Sequence, residues 1–188
     1  MKKSLGIILG IIVLVVLWAV FLVVGKYNSL VTLKENVDKT YANIDTQLER
    51  RADLIPNLVN TVKGYVSHEE KVIEDITTAR ANLLKANNAK ELSEANSKLD
   101  SALNALMVVV ENYPDLKANT NFISLQDELA GTENRVAVAR RDYNNAVNSY
   151  NSAIKKFPTN IIAGMFNFDE KAYFEVSENK KDVPEVEF

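Results

Sequence analysis

Residues 122–157 read FISLQDELAGTENRVAVARRDYNNAVNSYNSAIKKF, and the spacing of their apolar members decides the fold. Phe122, Leu125, Leu129, Thr132, Val136, Ala139, Tyr143, Ala146, Tyr150, Ala153 and Phe157 follow one another at alternating steps of 3 and 4. That stepping keeps all of them on one side of a helix. Five heptads pass without a slip, and Pro158 ends the pattern because it can neither donate a backbone bond nor fit a helix interior.

The stretches upstream carry the same period. Leu92, Ala95, Leu99, Leu103, Leu106 and Val110 predict a helix over about 90–112, ending before Pro114. Val72, Ile76, Ala79 and Leu83 predict another, opened by the capping-box pattern Ser67-x-x-Glu70 and fading at Asn87-Asn88. Leu30, Leu33, Val37, Tyr41, Ile44, Leu48, Ile55, Leu58, Val62 and Tyr65 predict a first helix over about 27–66, with Arg51 on the apolar stripe between Leu48 and Ile55. Nothing alternates with period 2, and glycine and proline are scarce. The expected fold is all-α: an antiparallel bundle of about four helices over 27–157, its first and fourth members longest. Setting Tyr65 level with Phe122 makes facing residue numbers sum to about 187, which puts Arg51 within a turn of Glu133.

No charge falls between Lys3 and Lys26. After the short flank 1–4, residues 5–24 are wholly apolar, and as a helix they span roughly 30 Å, the depth of a bilayer's hydrocarbon core. A cleaved signal peptide has a shorter apolar region closing on small residues. Phe21-Leu22-Val23-Val24 closes on large ones, so the segment reads as an uncleaved single-pass membrane anchor. With only Gly25 and Lys26 between Val24 and Tyr27, the first bundle helix can continue directly out of it. Lys2 and Lys3 favour an N-terminus inside, whereas Lys26, Lys34 and Lys39 weigh the other way. The expected orientation is N-in, C-out.

Composition excludes several functions. The chain of 188 residues has no cysteine and one histidine, so it offers no disulfide, no thiolate zinc site and no cysteine nucleophile. Beyond residue 24 it carries 20 basic and 25 acidic side chains, an acidic balance that argues against nucleic acid. His68-Glu69-Glu70 resembles a fragment of a metal motif, but residue 72 is Val and no second His exists. No cofactor, metal or catalytic constellation is expected. Arg50-Arg51-x-Asp53 suits an anion in principle. A structural reading is favoured: Arg50 and Asp53 can pair along the helix, while Arg51 on the stripe needs a carboxylate from another helix, for which Glu133 is the expected partner. Pro56, inside the helical pattern, should kink it near Ala52. Tyr41, Tyr65, Tyr143, Tyr150 and Phe157 are expected in the core.

Residues 158–176 form an apolar, aromatic tail with Ile161, Ile162, Met165, Phe166 and Phe168. Antiparallel return brings Phe157 to the level of Leu30, so the tail should lie near the bilayer surface. Its own bundle, the lipid headgroups and a neighbouring protomer are the three surfaces that can cover it, and a role in assembly is expected. Residues 177–188 are charged and expected to be loose.

Four strings in this chain resemble the LemA family of bacterial membrane proteins. They are Arg50-Arg51-Ala52-Asp53-Leu54-Ile55-Pro56-Asn57-Leu58-Val59 with Val62-Lys63-Gly64-Tyr65; Glu111-Asn112-Tyr113-Pro114-Asp115-Leu116-Lys117-Ala118; the run from Phe122 through Thr132-Glu133-Asn134-Arg135 to Tyr143-Asn144 and Tyr150-Asn151; and Phe157-Pro158 with Ile162-Ala163-Gly164 and Phe168. The resemblance implies a short N-terminal anchor and an all-α domain, and no agreed biochemical activity. Two functions follow as expectations. The favoured one is a non-catalytic membrane-anchored interaction or scaffold protein of the cell envelope, a homo-oligomer with a possible membrane-protein partner. The alternative is a carboxylate-based enzyme acting on envelope or lipid substrates, which an open cleft of converging acidic and basic groups would favour.

Overall fold

A computed structural model describes residues 2–66 and 69–175. The chain is all-α, and among the described residues there is no strand. The helices are α1 (Lys2–Lys63), α2 (Glu70–Leu83), α3 (Ala89–Val110), α4 (Pro114–Lys117), α5 (Thr120–Lys155) and α6 (Thr159–Met165). These residues form two compact units, 2–39 with 145–171 and 40–144 with 172–175, and α1 and α5 contribute to each.

The helix ends follow local chemistry. Asn88 caps α3 by accepting from the Glu91 N–H at 2.9 Å, while the Glu91 carboxylate accepts from the Asn87 N–H at 2.9 Å. The Asn pair at which α2 fades is thus the device that opens α3. Asn119 does the same for α5, its Oδ1 taking the N–H groups of Asn121 and Phe122. The one-turn α4 opens on Pro114 at its first position, a helix that apolar spacing does not reveal. Glu69 precedes α2 without a side-chain cap bond; Ser67 of the expected capping box lies outside the described residues, as does His68.

In the first unit Leu30, Val37, Val147, Tyr150, Ile154 and Ile162 are buried. In the second, Ile44, Leu48, Ile55, Leu99, Leu116 and Phe122 are among the most deeply enclosed side chains. Two contacts between α1 and α5 in that unit, and a third between residues flanking their ends, set a register. The Tyr41 and Tyr143 rings are 5.9 Å apart, Arg51 approaches Glu133, and Tyr65 Oη accepts from Asn119 at 2.8 Å. Each pair of numbers sums to 184, as two antiparallel helices in one register require.

The long seam drifts. Up to Ala146 the buried positions of α5 keep to the 3–4 stripe, but then Val147, Asn151 and Ile154 take over, Ala153 is half-buried and Phe157 is 80% exposed. A straight helix turns about 20° per heptad against a strict seven-residue repeat. Phe157 itself lies beyond Lys155, where α5 ends, in the turn before α6, so the helical period no longer sets its direction. The expectation of a core Phe157 is corrected for this reason, and Tyr65, at the end of its own stripe, is likewise exposed.

Pro56 lies inside α1 and cannot donate to the carbonyl of Ala52, four residues back. Ala52 is fully buried, so an orphaned carbonyl there would be costly. Arg80 of α2 supplies the missing donor, its Nε reaching the Ala52 oxygen at 2.8 Å. Arg80→Ala should cost roughly 1–3 kcal/mol, the range for a buried group left unsatisfied. In a Pro56→Ala background the helix recovers its own bond and the same change should cost much less. Denaturant titration of the four variants checks this, and equal losses in both backgrounds would refute it.

Candidate functional site

Arg51 is the most unusual residue of the domain, a guanidinium only 2% exposed. It is placed there by α1, whose turns above and below it bury Leu48 and Ile55. Its Nη1 lies 2.7 Å from Asp100 Oδ1 and donates to Asn96 Oδ1 at 2.8 Å. Asn96 and Asp100 stand four apart on α3, so both point to the same place. Glu133 of α5 approaches Nη2 at 3.9 Å, a loose contact beyond hydrogen-bond range. The side chain of Asp100 is 14% exposed and that of Glu133 56%. Burial and distance together make Asp100 the principal partner of Arg51.

Beside this cluster is a half-open cleft of about 160 Å³. Arg51, Asp100 and Glu133 lie along its polar side; Leu58, Met107, Phe122 and Leu129 line its apolar side. Gln126 also lines it, with Nε2 3.6 Å from the Met107 sulfur. A guanidinium has five N–H donors, and here the buried Nε has no hydrogen-bond partner among the described residues. The cleft thus joins one buried cation, two carboxylates and several apolar side chains. None of the residues lining it is a Ser, Thr, Cys, His, Lys or Tyr.

The other sequence-picked residues are placed apart from this cluster. Arg50 and Asp53 are exposed, and among the described residues no ion pair joins them. Solvated i,i+3 pairs gain little over water. Pro56 is exposed. In the tail, Ile161, Met165 and Phe166 are exposed and Phe168 half-buried. Ile162 is instead buried, because three residues beyond Thr159 the turn of α6 returns it to the buried side that Thr159 and Ala163 share. The tail also contains a helix, α6, where the sequence suggests an irregular segment.

Residues 169–175 hold a second arrangement that side-chain patterning does not reveal. In the first unit the Tyr150 hydroxyl donates to the Asp169 carbonyl at 3.0 Å. Asn151 there donates to the Lys171 carbonyl at 2.8 Å and accepts from its N–H at 2.9 Å. In the second unit Tyr143 donates to the Ala172 carbonyl at 2.9 Å, and Asn144 pairs with both the carbonyl and the N–H of Phe174 at 3.0 and 2.9 Å. Two Tyr-Asn doublets seven apart on α5 therefore read backbone positions three apart. Burial, then the Asp169 and Asp38 carboxylates, push the Tyr150 phenol above its ordinary value, which keeps it a donor.

The geometry defines a class, an all-α domain whose first helix begins in a long apolar run. The profile of the LemA family matches residues 40–188, and the chain belongs to that family. It is similar to Protein LemA of Metamycoplasma hominis, 29% identical over 159 residues that cover 84% of this chain and 73% of the relative. It is also similar to Magnetosome protein MamQ 2 of Paramagnetospirillum magneticum, 26% identical over 176 residues covering 80% of this chain and 65% of the relative. Magnetosome protein MamQ of Magnetospirillum gryphiswaldense is 24% identical over 175 residues, covering 79% and 64%. The chain spans slightly less than two thirds of the magnetosome relatives' length.

Proposed function

We propose that this protein is a non-catalytic, membrane-anchored interaction or scaffold protein of the bacterial cell envelope. The observation that carries the reading is the continuity of α1. One helix of 62 residues carries a charge-free run after Lys3, exposed from Gly6 to Leu22, and without a break reaches positions such as Leu30 and Val37 that are fully buried. Its apolar part is long enough to cross a membrane. A helix that serves both as anchor and as core member transmits the position of the lipid to the protein packed on it. Self-association belongs to the proposal, because anchored protomers share a plane and a raised effective concentration. The orientation is N-in, C-out, and a membrane-protein partner suits the same geometry.

The test is the mass of the detergent-extracted protein by light scattering, expected to exceed that of one protomer. A monomer at all concentrations would end the self-association part. For orientation, a cysteine at the exposed Val138 of this cysteine-free chain should react with a membrane-impermeant maleimide on intact cells. Labelling only after lysis would reverse it.

One observation favours the alternative reading, a carboxylate-based enzyme acting on envelope or lipid substrates: the half-open cleft in which Arg51, Asp100 and Glu133 converge. The same three groups are arranged as an ion pair with an exposed satellite, which a structural role explains without a substrate. Incubating envelope lipids with wild type and with Glu133→Gln separates the two. A product that only wild type releases would favour the enzyme.

A further inference from the structure

Besides the apolar run of α1, the first unit leaves an apolar surface in the open, and its position relative to the anchor helix is fixed by ring contacts. Phe157, Ile161 and Met165 recur at steps of four, and they are 80%, 54% and 67% exposed. The opposite side of α6, carrying Thr159, Ile162 and Ala163, is buried. Phe166 follows at the helix end, nearly half exposed, with its ring centroid 4.9 Å from that of Tyr27; Phe168 meets Tyr27 edge-to-face at 5.7 Å. Tyr27 stands on α1 only three residues beyond Val24, the end of the apolar run, an axial rise of about 4.5 Å. The exposed face is therefore held at the level where the hydrocarbon-length segment ends.

We propose that Phe157, Ile161, Met165 and Phe166 form a foot that enters the headgroup region of the bilayer crossed by α1. The inference rests on the anchor reading above and adds a second, lateral lipid contact. A short amphipathic helix whose apolar side sinks a few ångströms into the headgroup–acyl boundary is a recognised mode of interfacial binding. Large contiguous apolar patches are rare on surfaces that face water. Lipid is the occupant, rather than a neighbouring protomer, because the Tyr27 contacts place the patch beside the membrane end of α1, where headgroups are already present. Lys156, exposed one residue before Phe157, can lie along the apolar surface and keep its ammonium among the headgroups. Two contacts, one through the bilayer and one along it, fix the rotation of the unit about the α1 axis, which a single helix leaves free.

The chain has no cysteine, so single labels are straightforward. Met165→Cys, at an exposed position, carries a nitrobenzoxadiazole fluorophore, and the full-length protein is reconstituted in phosphatidylcholine–phosphatidylglycerol vesicles. The expected result is loss of most of the emission when the vesicles contain lipids with a quencher near the headgroup, with little loss to aqueous iodide. Emission quenched by iodide and not by the lipid would place the foot in water and overturn the proposal. Emission shielded from both would mean that protein covers it, its own or a second copy, and would overturn it equally. A label at Val13, inside the apolar run, reports the anchor separately through lipids quenched deep in the acyl chain. Silence there would overturn the anchor reading and the foot with it, whereas quenching at Val13 alone would overturn only the foot.

Discussion

Arg51→Ala should destabilise the domain by about 3–5 kcal/mol, the usual cost of removing one member of a buried ion pair. The loss has two sources. The Asp100 carboxylate, 14% exposed, would keep its charge in a poorly solvated place, and Asn96 would lose the donor at 2.8 Å. Asp100→Ala should cost a similar amount, since it strands a guanidinium that is almost wholly buried. Glu133→Ala should cost only about 0–1 kcal/mol, because its carboxylate is 56% exposed and stands 3.9 Å away. Double-mutant cycles by chemical denaturation rank the pairs directly. Arg51 with Asp100 should show strong coupling and Arg51 with Glu133 almost none. Arg51→Met combined with Asp100→Leu should recover much of the single-variant losses, since an apolar pair leaves no stranded charge. Additive losses for Arg51 and Asp100, or a larger coupling to Glu133, would refute this ranking.

That ranking marks where the sequence is legible and where it is not. The position of Arg51 on an apolar stripe is visible from spacing alone, and so is its need for a carboxylate from another helix. The choice of Asp100 is not. Aligning two long seams end to end predicts a register sum of about 187, close to the 184 observed, and that register points to α5 and Glu133. Where α3 lies depends on the loops that fold it back, and periodicity carries no information about them. A signal did exist: Asn96 and Asp100, four apart, flank the α3 stripe of Leu92, Leu99 and Leu103 as two polar groups on one side. Arg80 is harder still, because its partner is the backbone oxygen of Ala52, and a carbonyl has no side-chain signature. Pro56 announces that some carbonyl is orphaned but not which side chain reaches it. The seam itself is read correctly for most of its length; rotation then brings Val147 into the core, and Phe157 stands outside it because α5 has already ended at Lys155. The Tyr-Asn doublets are plain in the sequence; their function is not, since what they bind is again backbone.

Phe174→Ala should remove about 3–5 kcal/mol, the range for truncating an enclosed phenylalanine. The ring is 2% exposed although it belongs to no helix. Side-chain bonds hold this segment: Asn144 to both backbone groups of Phe174, Tyr143 to the Ala172 carbonyl, and the Ser93 hydroxyl to the Glu175 carbonyl. The Arg140 guanidinium lies 5.9 Å from the ring centroid, within cation–π range. The segment belongs to no helix, so these bonds supply partners for its backbone groups. The informative variant is Asn144→Asp, nearly identical in shape. Its carboxylate can still accept from the Phe174 N–H but has no donor for the Phe174 carbonyl, and it sets a charge against that oxygen. It should therefore cost at least as much as Asn144→Ala, roughly 1–3 kcal/mol, despite being the smaller change. Hydrogen exchange at the Phe174 amide adds a local reading: protection should persist in wild type and collapse in Asn144→Ala. If Phe174→Ala costs less than about 1 kcal/mol and Asn144→Asp is tolerated, the segment is a passive covering and α5 does not hold it by its amides.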